Sequence, residues 1–311
     1  MSALICGSIA YDNIMVFKDR FKNHILPENV HRLSVSFLVP EMRQEFGGCA
    51  ANIAYSMRLL NEDALPMGTV GKDFSHYGKW MDDHKIDRRH VKVMTEHFTA
   101  QAFITTDLDD NQIAAFHPGA MNYSHLNHVG DAQGVSVGIV SPDGRDGMLQ
   151  HAEQFREADI PFIFDPGQAM PLFEGADLRN FIDQASYVTV NDYEWEMLAD
   201  KTGYQIKDVT DRVDALIITL GAEGSEIHSD GKKIDIPVAA PTDAVDPTGC
   251  GDAYRAGLLY GLRHDMDWET IGRIASLMGT LTVEHGGTQN HSFELGQFEE
   301  RFEESFGYRC W

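Results

Sequence analysis

Short apolar runs, often β-branched, alternate along the chain with longer stretches of helical periodicity. This alternation predicts βαβ units and a mainly parallel sheet. Most of the runs are hydrophobic at consecutive positions, as expected for strands that helices cover on both faces. The predicted strands are Leu4–Ile9, Val135–Val140, Pro161–Asp165, Tyr187–Val190 and Ala215–Leu220. The fold class that follows is α/β, a three-layer α/β/α sandwich.

Two segments carry the helical periodicity most clearly. In Ala50–Leu60 the apolar residues Ile53, Met57 and Leu60 recur at i, i+4 and i+7, which places them on one face of a helix. Residues 192–201 show a similar pattern directly after a predicted strand. We therefore expect helices at both places, each with its apolar side against the sheet.

Two regions depart from this rhythm and predict a small β-sheet appendage. From residue 13 to 46 polar and apolar residues alternate without a helical period, notably over His31–Val39. Residues 98–120 hold two apolar runs around an acidic turn at 109–111, which is a hairpin signal. The predicted division is a core of residues 1–12, 47–97 and 121–311, with residues 13–46 and 98–120 forming the appendage. A pair of long surface loops is the alternative.

The net charge of the chain argues against some classes of binding partner. The chain has 311 residues with 25 Lys+Arg and 48 Asp+Glu, a formal net charge of −23. Such an acidic protein repels the phosphates of nucleic acids and of anionic lipids, so we expect neither a nucleic acid nor a membrane as a partner. An enzyme acting on small molecules is the expectation that remains.

Cysteine usage and the opening residues bear on location. The four cysteines are scattered and form no C-x-x-C pair, which favours a reduced, intracellular protein. The opening residues (MSALICGSIAYDNI) have no basic n-region and only a short apolar run, so they predict neither a signal peptide nor a membrane helix. We expect a cytoplasmic protein.

The most informative motif is DPTGCGD at residues 246–252, which precedes a helical pattern. Gly249 and Gly251 allow backbone N–H groups to converge around Cys250, and the positive end of the helix dipole points to the same place. This arrangement predicts an anion hole. Asp252 stands at its mouth, where a carboxylate is useful if it accepts a proton from a hydroxyl group. The alternative is a turn in which Asp252 only caps the helix.

Asn191 and Glu194 are candidate residues for a metal site. Asn191 follows a predicted strand, so both side chains would stand at the carboxyl edge of the sheet, where α/β proteins bind ligands. Mg²⁺ prefers oxygen ligands and retains several waters, so the pair would act largely through water. The alternative is a capping box that closes the first turn of a helix.

Two other short segments carry weaker signals for ligand binding. Thr219, Gly221 and Gly224 end a buried strand and suit close approach of a phosphate or ribose, although a tight strand-exit turn also explains them. Gly48 and Asn52 open a helix, so that a ligand would lie against the backbone at Gly48 while Asn52 offers donors and acceptors. The alternative is that small residues let this helix pack closely.

Asp12, just beyond the first strand, is a candidate for holding a vicinal diol, because one carboxylate can accept two hydroxyl hydrogen bonds. An isolated Asp after a strand is more often a turn residue. Two common nucleotide motifs are missing from the sequence: no G-x-G-x-x-G joins a strand to a helix, and no G-x-x-x-x-G-K-[ST] occurs. A Rossmann dinucleotide site and a Walker-type P-loop are thereby excluded.

The order of four motifs (GGCAAN, NDYE, TLGAEG and DPTGCGD) resembles the ribokinase-like (PfkB) family of carbohydrate and nucleoside kinases. The resemblance covers nearly the whole chain. Within that family the chain more closely resembles bacterial adenosine kinases, through residues 7–12 (GSIAYD), 101–106 (QAFITT) and 112–121 (QIAAFHPGAM). Family members have a three-layer α/β core and a β-sheet lid built from two insertions, which agrees with the predicted appendage.

The resemblance implies a role for each matched residue. By this correspondence the catalytic base is Asp252, and the anion hole is formed by Gly249, Cys250 and Gly251. The Mg²⁺-associated pair is Asn191 and Glu194, and the residues on the ATP side are Asn191, Thr219, Gly221 and Gly224. The sugar hydroxyls are held by Asp12, Gly48 and Asn52. The chain departs from the broad pattern at Cys250, which replaces the usual alanine, and at Pro247. Because the hole uses backbone N–H groups, we expect the small thiol side chain to be tolerated, with sensitivity to oxidation.

The function implied by this resemblance is transfer of the γ-phosphoryl group of ATP to the 5′-hydroxyl of adenosine, giving AMP and ADP, with Mg²⁺. Phe103 and Phe116 of the lid are candidates to stack on the purine. A ribokinase, an inosine-guanosine kinase or a ketohexose kinase would share the motifs, because these bind hydroxyls and phosphates rather than the base. A nucleotide-sensing protein on the same fold is the non-enzymatic alternative.

Two further expectations concern a cation and the oligomeric state. Family members sometimes use a monovalent cation such as K⁺, for which Asp243, Val245 and residues 286–288 would supply carbonyl oxygens here. A homodimer is expected through the lid, since an unpaired strand edge near Ser34–Val39 would invite strand pairing between subunits.

Overall fold

The computed structural model describes residues 2–25 and 34–311 of the chain. Within these ranges the strands are β1 (Ser2–Cys6), β2 (Ala10–Val16), β3 (Glu41–Gly47), β4 (Ala64–Gly71), β5 (Val91–Met94), β6 (Ala100–Thr106), β7 (Gln112–His117), β8 (Val135–Val140), β9 (Phe162–Phe164), β10 (Tyr187–Asn191), β11 (Ala215–Thr219), β12 (Ser225–Ser229) and β13 (Lys232–Ile236). The α-helices there are α1 (Cys49–Leu59), α2 (Ser75–Asp83), α3 (Arg145–Glu157), α4 (Gly175–Gln184), α5 (Asp192–Thr202), α6 (Ile206–Thr210), α7 (Cys250–Arg263), α8 (Trp268–Val283) and α9 (Leu295–Phe306).

The larger sheet has nine strands in the order β13-β12-β11-β10-β9-β8-β1-β4-β5. All neighbours from β11 to β5 are parallel, and only β12 and β13 are antiparallel. Each strand predicted from the sequence is present, but β1 ends at Cys6 and not at Ile9. The chain turns away after Cys6 because Ser8 caps α1: its carbonyl accepts the Ala50 N–H at 3.0 Å.

Helices cover both faces of this sheet, which confirms the three-layer α/β/α class. On β1, Ala3 and Ile5 pack with residues of α1, α2, α7 and α8, whereas Leu4 and Cys6 pack with residues of α3, α4, α5 and α6. Because successive side chains of a strand point to opposite faces of the sheet, β1 contributes to the hydrophobic cores on both sides. No helix in the described part of the chain combines the length and apolar content needed to cross a bilayer.

The order of strands fixes where a ligand can bind. From β1 the chain builds outward through β4 and β5, then returns and builds in the opposite direction from β8 through β11. Such a reversal leaves a crevice beyond the carboxyl ends of the two central strands, here β1 and β8, and ligands of open α/β sheets bind in this crevice. The segments that follow β1 lead into the second sheet and into α1.

The second sheet has four strands in the order β3-β2-β6-β7. It contains the predicted hairpin, because β6 and β7 pair antiparallel with Thr106 opposite Gln112. The predicted strand near Ser34–Val39 is wrong: residues 34–40 form no strand, and the outer strands are β3 and β7. The beginning of the alternating segment His31–Val39 lies outside the described residues.

Close packing of α7 on α8 generates a test of the fold. A β-carbon at Gly257 of α7 would lie 2.8 Å from the Ala275 backbone nitrogen of α8, whereas one at Gly296 of α9 would meet nothing within 4 Å. We expect Gly257→Ala to lower the free energy of unfolding by about 1–3 kcal/mol through overpacking. The control Gly296→Ala should raise it by about 0.5–1 kcal/mol through helix propensity. Urea unfolding measures both, and equal midpoints for the two variants would contradict the helix packing.

Candidate active site

The N-terminus of α7 forms the centre of the candidate site. Gly249 precedes the helix at φ +83°, a left-handed conformation that favours glycine. The Cys250 N–H donates to the Pro247 carbonyl at 3.2 Å. The amides of Gly249, Gly251 and Asp252 have no partner among the residues that the structure describes, as expected at the start of a helix. Of the predicted anion-hole residues, Gly249 and Gly251 therefore present free amides, joined by that of Asp252 itself.

The loop before α7 is ordered by Asp246, whose role the sequence analysis missed. Its carboxylate accepts the Thr248 N–H at 2.9 Å and the Gly287 N–H at 3.0 Å. Burial alone would raise the pKa of Asp246, but hydrogen bonds from Thr248 and from the Gly287 backbone hold it below its ordinary value. The loop is thus tied to residues 286–288, the proposed cation segment. In that segment the Gly286 carbonyl already accepts a bond from the Asn290 amide at 2.7 Å.

Asp252 carries a carboxylate that is partly accessible and strongly desolvated. Asn52 Nδ2 donates to Asp252 Oδ2 at 2.8 Å. Burial raises the pKa of Asp252 to about 6, opposed by the bond from Asn52 and the charge of Arg255, with Asp165 acting in the same direction as burial. A group with this pKa is mostly ionised at pH 7 and remains basic enough to accept a proton, as a general base requires.

A buried ion pair lies beneath this carboxylate. Arg255 of α7 donates to Asp165, which follows β9, through Nη2 at 2.9 Å and Nε at 3.1 Å, and its Nη1 reaches the Gly251 carbonyl at 3.3 Å. Neither partner was predicted from the sequence, since no local motif signals a pairing between a strand end and a helix so far along the chain. Arg255 is committed to Asp165, so anion binding at the helix N-terminus relies on backbone amides.

Asn191 and Glu194 form the capping box that was the alternative to a metal role. Glu194 N donates to Asn191 Oδ1 at 2.7 Å, and Asn191 N donates to Glu194 Oε2 at 2.8 Å. Burial raises the pKa of Glu194, and Arg255 opposes this shift. No hydrogen bond within the described residues takes up Glu194 Oε1, so this oxygen can hold the water of a hydrated Mg²⁺. No group of three or more metal-ligating side chains is present in residues 2–25 and 34–311.

The predicted ATP-side residues come together at the ends of two adjacent strands. Asn191 of β10 pairs with Thr219 of β11. Gly221 has φ +58° with open space where a side chain would extend, which leaves its backbone accessible to a ligand. Gly224, at φ +94°, must be glycine for a structural reason, because a β-carbon there would collide with the Ile236 carbonyl.

Asp12 and Gly48 lie where β1 passes into the second sheet. At Gly48, with φ +91°, a β-carbon would stand 2.6 Å from the backbone nitrogen of Ala10, so only glycine fits. Asp12 is half-buried on β2, and a side chain at Gly47 would collide with its carboxylate. Burial raises the pKa of Asp12, and the neighbouring charge of Glu45 raises it further. Glycine at 47 thus keeps room for this carboxylate.

The register of the second sheet separates the two lid phenylalanines. Asp12 pairs with Ala102, which pairs with Phe116, so these three side chains share one face. Phe103 follows Ala102 and therefore projects from the opposite face. Phe116 is 55% exposed and Phe103 is 41% exposed. Only Phe116 shares a face with the diol-binding candidate.

The thiol of Cys250 is not activated by its position. Burial raises its pKa to about 12, and the charge of Asp246 acts in the same direction. A protonated thiol is a poor nucleophile, which weakens the expectation of sensitivity to oxidation. All four cysteines are free.

A desolvated carboxylate beside free backbone amides at a helix N-terminus is suited to the transfer of an anionic group to a hydroxyl. Comparison with known sequences agrees. The model of the pfkB family of carbohydrate kinases matches residues 11–294. Nucleoside kinases of Methanocaldococcus jannaschii and Methanothermobacter thermautotrophicus are 32% identical over 274 residues and 31% identical over 314 residues. These alignments cover 87% and 98% of this chain and 89% and 96% of the relatives.

Solved structures extend the comparison. Burkholderia thailandensis nucleoside kinase in complex with inosine is 52% identical and matches with a TM-score of 0.90 over 99% of both chains. The nucleoside kinase of M. jannaschii matches with a TM-score of 0.89 at 28% identity, covering 97% of this chain and 98% of that one. The chain belongs to the pfkB family of carbohydrate kinases. It is an ATP-dependent sugar or nucleoside kinase.

The ion pair beneath the base generates a second prediction. Arg255→Met leaves the Asp165 carboxylate buried without its partner, so we expect the free energy of unfolding to fall by about 3–5 kcal/mol. The double variant Arg255→Met with Asp165→Leu removes both charges and should recover most of that loss. Urea unfolding at pH 7 compares the two, and a single variant as stable as the double would refute the pairing energetics.

Proposed function

We propose that the protein is a purine nucleoside kinase that transfers the γ-phosphoryl group of ATP to the 5′-hydroxyl of the nucleoside. The observation that carries this proposal is the Asp252 carboxylate, held by Asn52 at 2.8 Å beside the free amides of Gly251 and Asp252. A carboxylate in that position would repel a phosphate unless it served to accept a proton.

In this mechanism Asp252 accepts the proton of the 5′-hydroxyl as the oxygen attacks the γ-phosphorus. The amides of Gly251 and Asp252, at the positive end of α7, stabilise the negative charge on the transferring group. Asp252 must be ionised for the first step. Its pKa of about 6 makes the reaction fall off below that pH.

The second sheet is proposed to act as a lid that binds the nucleoside. Asp12 would hold the ribose hydroxyls against the backbone at Gly48, and Phe116 on the same face would contact the base. Closure excludes water, so that ATP is not simply hydrolysed. Phe103 projects from the other face and is dropped as a base-stacking candidate.

The choice of nucleoside follows the comparisons. The sequence resemblance favoured adenosine, whereas the 52% identical B. thailandensis kinase was solved with inosine and with ADP-inosine. We therefore broaden the acceptor to purine nucleosides, with adenosine and inosine as the first two to test. Ribose and ketohexoses are the less favoured acceptors.

Two cations belong to the proposal. Mg²⁺ would supply charge neutralisation on the phosphates, and Glu194, capped by Asn191, would hold it through water. A monovalent cation stays a prediction for the segment of Asp243, Val245 and residues 286–288. A cytoplasmic location, where ATP is available and thiols remain reduced, also stays a prediction.

An acceptor panel tests the proposed function. The panel contains adenosine, inosine, guanosine, cytidine, ribose and fructose, with ATP and Mg²⁺, and ADP release is measured for each. We expect turnover of purine nucleosides, and ³¹P NMR of the product should place the phosphate on the 5′-oxygen. Turnover of ribose or fructose alone would favour the sugar kinases. Absence of turnover with every acceptor would favour the nucleotide sensor.

Two variants separate the base from the sugar-binding carboxylate in the same assay. Asp252→Asn should lower kcat by about 10²–10⁴-fold, the usual contribution of a general base. Asp12→Asn should mainly raise the KM for the nucleoside. An Asp252→Asn protein that folds, binds ATP and keeps its kcat would overturn the assignment.

We also propose that the protein is a homodimer through the lid, on a face now defined by register. Met42, Phe103 and Ile113 project from the face of the second sheet opposite Asp12, and they are 68%, 41% and 42% exposed. Three large apolar side chains on one exposed sheet face are typical of a protein interface. A second copy of this chain is the proposed occupant.

Light scattering at working concentration tests the dimer. We expect the parent to have the mass of two chains and Ile113→Arg to have the mass of one, since a buried unpaired charge disrupts an apolar interface. Leu172→Arg, at an exposed leucine outside the second sheet, is the matched control and should remain dimeric. A monomeric parent would refute the proposal.

A further inference from the structure

A continuous line of side-chain hydrogen bonds leads from the half-buried Trp80 of α2 to the proposed catalytic base, Asp252. Trp80 Nε1 donates to Gln289 Oε1 at 2.9 Å, and Gln289 Nε2 donates to Asn52 Oδ1 at 2.8 Å. Asn52 Nδ2 then donates to Asp252 Oδ2 at 2.8 Å. Gln289 is only 2% exposed, and none of the sequence motifs contains it.

Trp80 fixes the direction of this line. An indole nitrogen can donate a hydrogen bond and cannot accept one, so the Gln289 side chain must turn its carbonyl oxygen towards Trp80. Its NH₂ group then faces the other way, towards Asn52. The ring of Trp80 is itself held, since it stacks on Phe46 with centroids 5.1 Å apart.

A second anchor imposes the same direction. Gln289 Nε2 also donates to the hydroxyl of Tyr77 at 2.6 Å, and that hydroxyl donates to the Gly47 carbonyl at 2.8 Å. A backbone carbonyl only accepts, so the Tyr77 proton is committed to Gly47 and its oxygen must accept from Gln289. A donor-only group at one end and an acceptor-only group at the other leave Gln289 a single orientation.

The orientation passes to Asn52. Because Gln289 donates to it, Asn52 must present its oxygen to Gln289 and its NH₂ group to Asp252. A rotated Asn52 would place its oxygen against the carboxylate, which would favour the protonated acid. Hydrogen bonds to the charged form favour ionisation, whereas burial of the same group opposes it.

We propose that Gln289, oriented by Trp80 and Tyr77, is a positioning residue that sets the polarity of the Asn52 amide and thereby keeps the Asp252 base ionised at neutral pH. The assignment of Asp252 as base rests on the proposed function. The polarity of the network does not, because it follows from the donors and acceptors alone.

Other ionisable groups also affect the pKa of Asp252, so a test must leave the charges of these groups unchanged. They are Cys49 of α1, Tyr77 of α2, Asp165 after β9, and Cys250 and Arg255 of α7. Uncharged replacements of Gln289 and Trp80 alter no charge in this set. Burial raises the pKa of the Tyr77 hydroxyl well above its ordinary value, so it stays neutral in all variants.

Two variants break the line at different points. Gln289→Met keeps the volume of the side chain and removes every hydrogen bond, and Trp80→Phe removes the indole donor while keeping an aromatic ring. Trp268→Phe is the matched control. Trp268 is the first residue of α8 and packs on Tyr187. It follows the C-terminal end of α7, whereas Asp252 lies at the N-terminal end of that helix. The double variant Gln289→Met with Trp80→Phe completes a double-mutant cycle.

The readout is the pH profile of kcat with a purine nucleoside. We expect Gln289→Met to move the acidic limb upward by about one pH unit, which is the effect of losing one hydrogen bond to a charged group. Activity would then fall about fivefold at pH 6 and hardly at pH 8.5. Trp80→Phe should shift the limb in the same direction by less, and add nothing in the Gln289→Met background. A purely structural role would lower kcat equally at all pH values.

A direct titration keeps the test independent of turnover. In protein labelled with ¹³C at the Asp carboxyl carbons, the Asp252 signal is the one lost in Asp252→Asn, and its pKa can be followed by NMR. A higher pKa in Trp80→Phe and unchanged values in Trp268→Phe would support the proposal even if no acceptor is turned over. Unchanged titration of Asp252 in Trp80→Phe and in every Gln289→Met protein that folds would overturn it, whatever the acceptor panel gives.

Discussion

The structure is organised around the burial of one carboxylate at the positive end of a helix. Burial raises the pKa of Asp252 to about 6, well above the ordinary value of an aspartate. The folded protein holds this proton more tightly than the unfolded chain does. The contribution of Asp252 to the free energy of unfolding therefore falls as the pH rises from 3.8 to about 6. The proposed role of Asp252 as a general base gives a reason for this loss of stability. Asn52 and Arg255 limit it, since both favour the ionised form.

The same constraint explains how so acidic a chain can bind a triphosphate. With a net charge of −23, long-range electrostatics oppose an anionic ligand. The guanidinium of Arg255, beneath Asp252, is neutralised by Asp165 in a pair that is almost fully buried. Attraction for phosphate must then come from the amides of Gly251 and Asp252, the dipole of α7 and the cation that accompanies the nucleotide. Phosphate affinity should consequently depend on that cation.

Local patterns predicted the parts of the fold that local physics decides. The hairpin of β6 and β7, the strands from β8 to β11 and the capping box at Asn191 all follow from short-range signals. The buried strand β4 was missed because Pro66 and Gly68 break its pattern, although Gly68 is required where the Gly7 carbonyl would stand 2.7 Å from a β-carbon. Likewise Gln289 meets Asn52 only in the folded chain, so no local motif contained that partnership.

The second sheet and the proposed catalytic base, Asp252, are connected through buried hydrogen bonds. The Gly47 carbonyl that receives the Tyr77 proton belongs to β3, one of the two outer strands of that sheet. Thr288 Oγ1 donates to the carbonyl of the adjacent Phe46 at 2.5 Å. The hydrogen bonds that orient Asn52 thus end on the sheet that carries Asp12. A displacement of β3 would release the Tyr77 hydroxyl, and with it one of the two constraints on Gln289. The proposed base and the sheet proposed to bind the nucleoside are therefore connected through the same buried side chains.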